Sequence, residues 1–258
     1  MSVAVLCSLE SIVLLKKITS MILEVAVFNI SSAIQAERAG ADRLELCENP
    51  MEGGTTPSYG TLKAVREKIG IPVFPIVRPR GGDFLYNDDE FEVIKKDVKL
   101  CKELGFPGLV LGLLKADGSV DVERTKALVE LAAPLEVTFH RAFDRTNDPL
   151  KALEDVVDTG CKRILTSGQV PNVGDATPLI KQLIEKAAGR IIILQGSGVR
   201  SSNLQRLVEE TGATEYHSSA RKSAETKMKF TVASMNENLT GTEVDQEEVG
   251  RMRAILHG

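Results

Sequence analysis

The sequence predicts a single α/β domain of the (β/α)8 TIM barrel class. Eight times between Ile22 and His217 a short apolar run breaks into a polar or glycine-rich loop, and at most of the breaks an amphipathic helical pattern follows. Several runs end in groups that a buried strand does not ordinarily carry: Glu45 and Cys47, Arg78 and Arg80, His140 and Arg141, Ser167, and His217. No Pro- or Ser-rich linker interrupts the alternation, and 258 residues can build one large core.

In order, the strands are expected at Ile22 to Ala26, Arg43 to Leu46, Val73 to Val77, Leu109 to Leu113, Glu136 to His140, Arg163 to Thr166, Ile191 to Gln195 and Glu215 to His217. Helices intervene at Ser31 to Ala39, Ser58 to Lys68, Asp88 to Leu104, Asp121 to Leu131, Pro149 to Thr159, Pro178 to Ala188 and Asn203 to Glu210. Asp148 before Pro149 is an N-cap followed by a proline at the first helical position. Gly40, Gly105, Gly160 and Gly212 stand where helix ends need a left-handed residue, so the βα unit repeats. Beyond His217 the pattern fades; residues near Met235 to Gln246 read as a surface loop before a short helix, Glu247 to Leu256.

Residues 1–20 stand apart from this rhythm. Val3 to Leu15 is apolar, but Glu10 interrupts it, Lys16 and Lys17 follow rather than precede it, and no small-residue cleavage site is evident. The stretch is too short and interrupted to span a bilayer. It reads as an N-terminal extension to a barrel domain over residues 21–258.

A formal charge of −4, scattered Lys and Arg, and the absence of Trp argue against nucleic acid or a membrane surface as partner. Cys7, Cys47, Cys101 and Cys161 form neither a C-x-x-C pair nor a zinc spacing, so a cytoplasmic setting is expected.

Strand parity locates candidate chemistry. Alternate residues of a barrel strand point inward, so with the apolar set facing the helices, Glu24 and Ala26, then Arg43, Glu45 and Cys47, then Glu136, Thr138 and His140, then Glu215 and His217 face the interior. Strands eight, one and two adjoin, which brings Glu24, Glu45 and His217 together. Buried carboxylates need cations; Arg43, Arg78 and Arg141 are the expected partners. A purely structural ion network is the plainer alternative to a ligand site.

The loop Val77-Arg78-Pro79-Arg80-Gly81-Gly82-Asp83-Phe84-Leu85-Tyr86 holds two arginines around a rigid proline, which suits a carboxylate or phosphate. A local Arg80 to Asp83 pair is the alternative. The loop Gln195-Gly196-Ser197-Gly198-Val199-Arg200, with Thr166-Ser167-Gly168, is expected to cradle an anion at a helix N-terminus, through Ser167, Gly196 and Gly198. Cys101 and Cys161 fall on or beside outer helices as packing residues. Cys47, at a strand end on the polar side, is the thiol with a site role.

Six motifs in order then point to a family. Gly40-Ala41-Asp42-Arg43-Leu44-Glu45-Leu46-Cys47, Glu52-Gly53-Gly54-Thr55-Thr56-Pro57-Ser58, the Val77 to Tyr86 loop, Val137-Thr138-Phe139-His140-Arg141-Ala142-Phe143-Asp144, Leu165-Thr166-Ser167-Gly168 and His217-Ser218-Ser219-Ala220-Arg221 resemble the CutC copper-homeostasis family, from Met21 to about Phe230. The resemblance implies a (β/α)8 barrel, a cytoplasmic homo-oligomer and a role in copper handling, with Cu(I) held in some members by cysteines on the first two strands. This chain has Ala26 where the first of those cysteines would stand, so Cys47 alone remains.

Two functions follow. One is copper homeostasis with Cu(I) bound through Cys47 and a neighbouring group. The other is an enzyme of a small anionic or sugar-like substrate: Arg78, Arg80 and Arg141 would bind the anion, Glu24 or Glu45 act as general base, and His140 or His217 as acid.

Overall fold

A computed structural model describes residues 21–258, so the expected extension over residues 1–20 lies outside the described residues. Strands β1 (Ile22–Val27), β2 (Arg43–Leu46), β3 (Val73–Pro75), β4 (Gly108–Leu111), β5 (Glu136–Phe139), β6 (Arg163–Thr166), β7 (Ile192–Gln195) and β8 (Glu215–Ser218) form one parallel sheet in the order β3-β2-β1-β8-β7-β6-β5-β4. The sheet closes where Ile76 bridges Val110, and the Val77 N–H donates to the Val110 carbonyl at 2.7 Å. Pro75 has no N–H to give at that seam, and β3 ends there, two residues short of the expected Val77.

Around the barrel run α1 (Ile30–Arg38), α2 (Tyr59–Lys68), α3 (Asp88–Glu103), α4 (Val122–Ala132), α5 (Pro149–Thr159), α6 (Thr177–Ala187), α7 (Ser201–Thr211) and α8 (Gln246–His257). Local chemistry sets their ends. Asp148 accepts the N–H groups of Leu150 and Lys151 to open α5, and Gly160 closes it at φ +85.

Leu23, Val25 and Val27 of β1 and Leu44 and Leu46 of β2 point outward under the helices, and all five are fully buried. Each contributes about 1.5–3 kcal/mol through burial of apolar surface. The interior is divided. Phe74, Ile76, Val110 and Cys47 form a small apolar cluster on the β2–β3–β4 side, whereas Glu24, Arg43, Arg163 and Glu215, from β1, β2, β6 and β8, bring charge to the interior beside it.

One element is not foreseen. Between β8 and α8 the chain makes an antiparallel hairpin, β9 (Arg221–Ala224) with β10 (Gly241–Val244), inside what reads from sequence as loop. These strands are short and mostly solvated on both faces, so no alternation of apolar and polar residues marks them. Among the described residues no helix is long and apolar enough to cross a membrane.

Candidate functional site at the barrel mouth

Register stacks the interior charges. Glu24 lies level with Arg43 on one side and with His217 on the other, and Glu45 lies level with Ala26 one layer higher. Arg43 bridges Glu24 and Glu215, at 2.5 Å to each, and Arg163 continues the ladder to Glu215 at 2.9 Å and to Glu136 at 2.6 Å. Both guanidinium groups lie over the Phe74 ring, at 5.1 and 5.4 Å. Of the cations expected from sequence only Arg43 serves these carboxylates, and Arg163 takes the place given to Arg78 and Arg141. Glu136 is inward in parity, but it sits at the opposite end of the barrel with its side chain 44% exposed.

Above the ladder, His217 Nδ1 meets Glu24 Oε1 at 2.8 Å and Nε2 faces Glu45 Oε2 at 3.7 Å. Burial works against charge on this imidazole, but the Glu24 hydrogen bond and the two carboxylates outweigh it and hold its pKa above the usual value. Glu24 is buried too, yet Arg43 and His217 keep it ionised, near 2. For a cation Glu45 has, among the described residues, only the more distant His217 contact, at 3.7 Å. Burial, reinforced by the Glu24 charge against the pull of His217, lifts it to about 7.

Glu45 and His217 open into a cavity of about 330 Å³ at the carboxyl ends of the strands. Its far wall carries His140, Arg78 and Phe84. Four of the five groups expected to share one mouth, Glu45, Arg78, His140 and His217, line it, and Glu24 lies directly beneath, bonded to His217. Burial and the nearby Arg78 charge press His140 down to about 3, so this imidazole is neutral.

Arg78 is not an open anion clamp. Its Nη groups donate to the carbonyls of Glu52, Gly54 and Gly82 at 2.6, 2.9 and 2.8 Å. Arg80 turns away from the cavity to Glu90 and Asp83, at 2.5 and 3.0 Å, so the local pair is what forms. Ser167 is fully buried and faces Asp144 and the Val170 carbonyl. Gly196 lies behind His217: a Cβ there would stand 2.5 Å from Leu165 and 3.2 Å from the imidazole. Gly198 does line the cavity.

The exposed positive charge is at the rim. Arg141, held by Asp144 at 2.8 Å and by the Ser167 hydroxyl at 2.9 Å, keeps its side chain 43% exposed. Arg200 and Arg221 line the same rim and meet no carboxylate among the described residues. The α7 N-terminus is not open to an anion, because Glu248 of α8 accepts from the Ser201 N–H at 2.7 Å and its hydroxyl at 2.8 Å. Arg200, Arg221 and Asp144 all lie within the sequence motifs, but their site geometry is missed because loop residues obey no parity rule.

Cys47 is 2% exposed and lines the cavity with Ala26. Burial and the Glu45 carboxylate push its thiol well above the usual value, which disfavours the thiolate that Cu(I) requires. Among the described residues no three His, Cys, Asp or Glu side chains are placed to hold a metal ion. The donor set does not fit a Cu(I) centre built by Cys47 within one chain.

Residues 21–222 match the model of the CutC family. A mouse protein named copper homeostasis protein cutC homolog is 52% identical over 209 residues, covering 81% of this chain and 77% of its own. The human protein of the same name is 51% identical over the same coverage. The crystal structure of a copper homeostasis protein CutC from Streptococcus agalactiae superposes with a TM-score of 0.73 at 35% identity, over 77% of this chain and 98% of that one.

Proposed function

This chain belongs to the CutC family, and from that premise we propose that it serves copper homeostasis through the barrel-mouth cavity, binding a small anionic, sugar-like ligand and moving a proton on it. The supporting observation is the sequence of contacts Glu24, His217, Glu45. A carboxyl near 7 is present in both protonation states at neutral pH, which suits a general base. His217, kept charged by Glu24, steadies the Glu45 carboxylate after it has given its proton back. Arg141, Arg200 and Arg221 supply cations for the ligand's anionic end.

Calorimetric titration with inorganic phosphate and with gluconate tests this reading. Arg141→Gln and Arg221→Gln are each expected to weaken binding by about tenfold, the equivalent of one charge-assisted hydrogen bond. No binding of either anion to the wild-type protein would remove the reading. A cytosolic setting and a homo-oligomeric state belong to it as well, and light scattering on the purified chain checks the second.

Cu(I) binding at Cys47 is the second reading, favoured by the position of that thiol on the cavity wall beside Ala26, and it requires a further donor from outside the described residues of this chain. A single thiol makes a weak site, so Ala26→Cys should tighten Cu(I) markedly in competition with a chelator. Equal affinity of wild type and variant would rule out a site at this wall.

A further inference from the structure

His140 follows β5 and caps the 3-10 segment Arg141–Arg145, its Nδ1 accepting the Ala142 N–H at 3.2 Å. A nitrogen that accepts carries no proton, so the neutral ring holds its proton on Nε2. That Nε2 is buried and has no hydrogen-bond partner among the described residues, although His140 lines the cavity. Buried donors are nearly always paired, and this ring is not free to seek a partner elsewhere. Phe84 covers it with ring centroids 4.8 Å apart, and its Nδ1–Cε1 edge is pressed so close to Gly112 that a Cβ there would stand 2.5 Å from Nδ1. Arg78, over the same Phe84 ring at 4.8 Å, opposes a second proton.

We infer that His140 is a fixed neutral imidazole whose Nε2–H donates to a carbonyl oxygen of the ligand, an inference that rests on the anion-binding reading above. It narrows the ligand to a small carbonyl compound with an anionic end and a proton on the carbon beside the carbonyl. Glu45 shares the cavity and can take that proton. As the C–H bond breaks, its electron pair forms the carbon–carbon double bond, and the carbonyl π pair becomes an enolate oxygen that accepts from Nε2–H. Return of the proton from Glu45 to the same carbon re-forms the carbonyl and leaves Glu45 the carboxylate it began as, so the step is a proton exchange or epimerisation at that carbon and needs no redox partner. His140 is thereby a hydrogen-bond donor and not the proton-giving acid of the initial expectation.

Two measurements on the whole chain test this. Long-range proton–nitrogen spectra of the histidines should show the His140 proton on Nε2 over about pH 5 to 8, the range in which an ordinary imidazole titrates. Acetonylphosphonate and propylphosphonate, which differ by one carbonyl, should then separate by about tenfold in affinity for the wild type. Only the first should shift the Nε2 resonance. In His140→Phe the two should bind alike, and His140→Gln, whose amide can donate, should restore part of the difference. A proton on Nδ1, or equal affinities with an unmoved Nε2, overturns the inference while leaving the anion site standing. Failure of both phosphonates to bind while phosphate or gluconate binds overturns the ligand role of His140, and failure of phosphate and gluconate as well overturns the anion reading itself.

Discussion

His140 and His217 line one cavity, yet one is pressed down to about 3 and the other is held above the usual imidazole value. Burial opposes charge on both. The neighbours differ: His217 stands between the carboxylates of Glu24 and Glu45, whereas His140 lies against Phe84, the ring over which the Arg78 guanidinium also packs. The β8–β1–β2 wall is therefore a seat for protons and the β5 wall a seat for a neutral donor. Side-chain type did not decide this; the second layer of residues did.

The strongest test breaks the charged wall from beneath. Glu24→Gln leaves Arg43 and His217 facing a neutral amide, and it should destabilise the fold by about 3–5 kcal/mol, as removal of one partner from a buried pair does. Urea unfolding measures it. A loss well under 1 kcal/mol would mean that the ladder does not hold this wall together.

A subtler test separates the walls by pH. His140 lies below its unfolded value, so its contribution is complete above about pH 6.5 and is lost as pH falls toward 3. Glu45 lies above its unfolded value, so its contribution is complete below about pH 4.5 and is lost as pH rises through 7. Between those limits the two slopes, each up to about 1.4 kcal/mol per pH unit, oppose one another. Denaturant titration of His140→Gln should show stability falling with pH across this window, and Glu45→Gln should show it rising. Parallel slopes for the two variants would break the contrast. At the small end, Arg80→Ala removes the pairs with Asp83 and Glu90 together with hydrogen bonds to the Gly81 and Leu85 carbonyls and the packing on Tyr86, and should lower the melting temperature by only a few degrees.

The barrel and half of the site are legible in the sequence because strand parity is a two-residue rule. It places Glu24, Glu45, Glu215 and His217 inside correctly, and it does not reach Arg78, Arg80 and Ser167, which lie in loops whose path no periodicity describes. The hairpin at Arg221–Ala224 and Gly241–Val244 escapes for a related reason, since neither strand buries a face that would leave a pattern.

Apolar alternation, helix caps and six ordered motifs were sufficient for the class of fold, the strand ends that carry chemistry and the family. What each charged group does there was set only when the chain closed. Arg163 and Glu215, 52 positions apart, became a pair, Glu248 came from α8 to fill the α7 N-terminus that otherwise reads as an anion site, and Arg78 was bound by three carbonyls. Protonation and hydrogen-bonding capacity depend on neighbours within a few ångströms, and in a barrel those neighbours come from strands and loops that lie far apart along the chain.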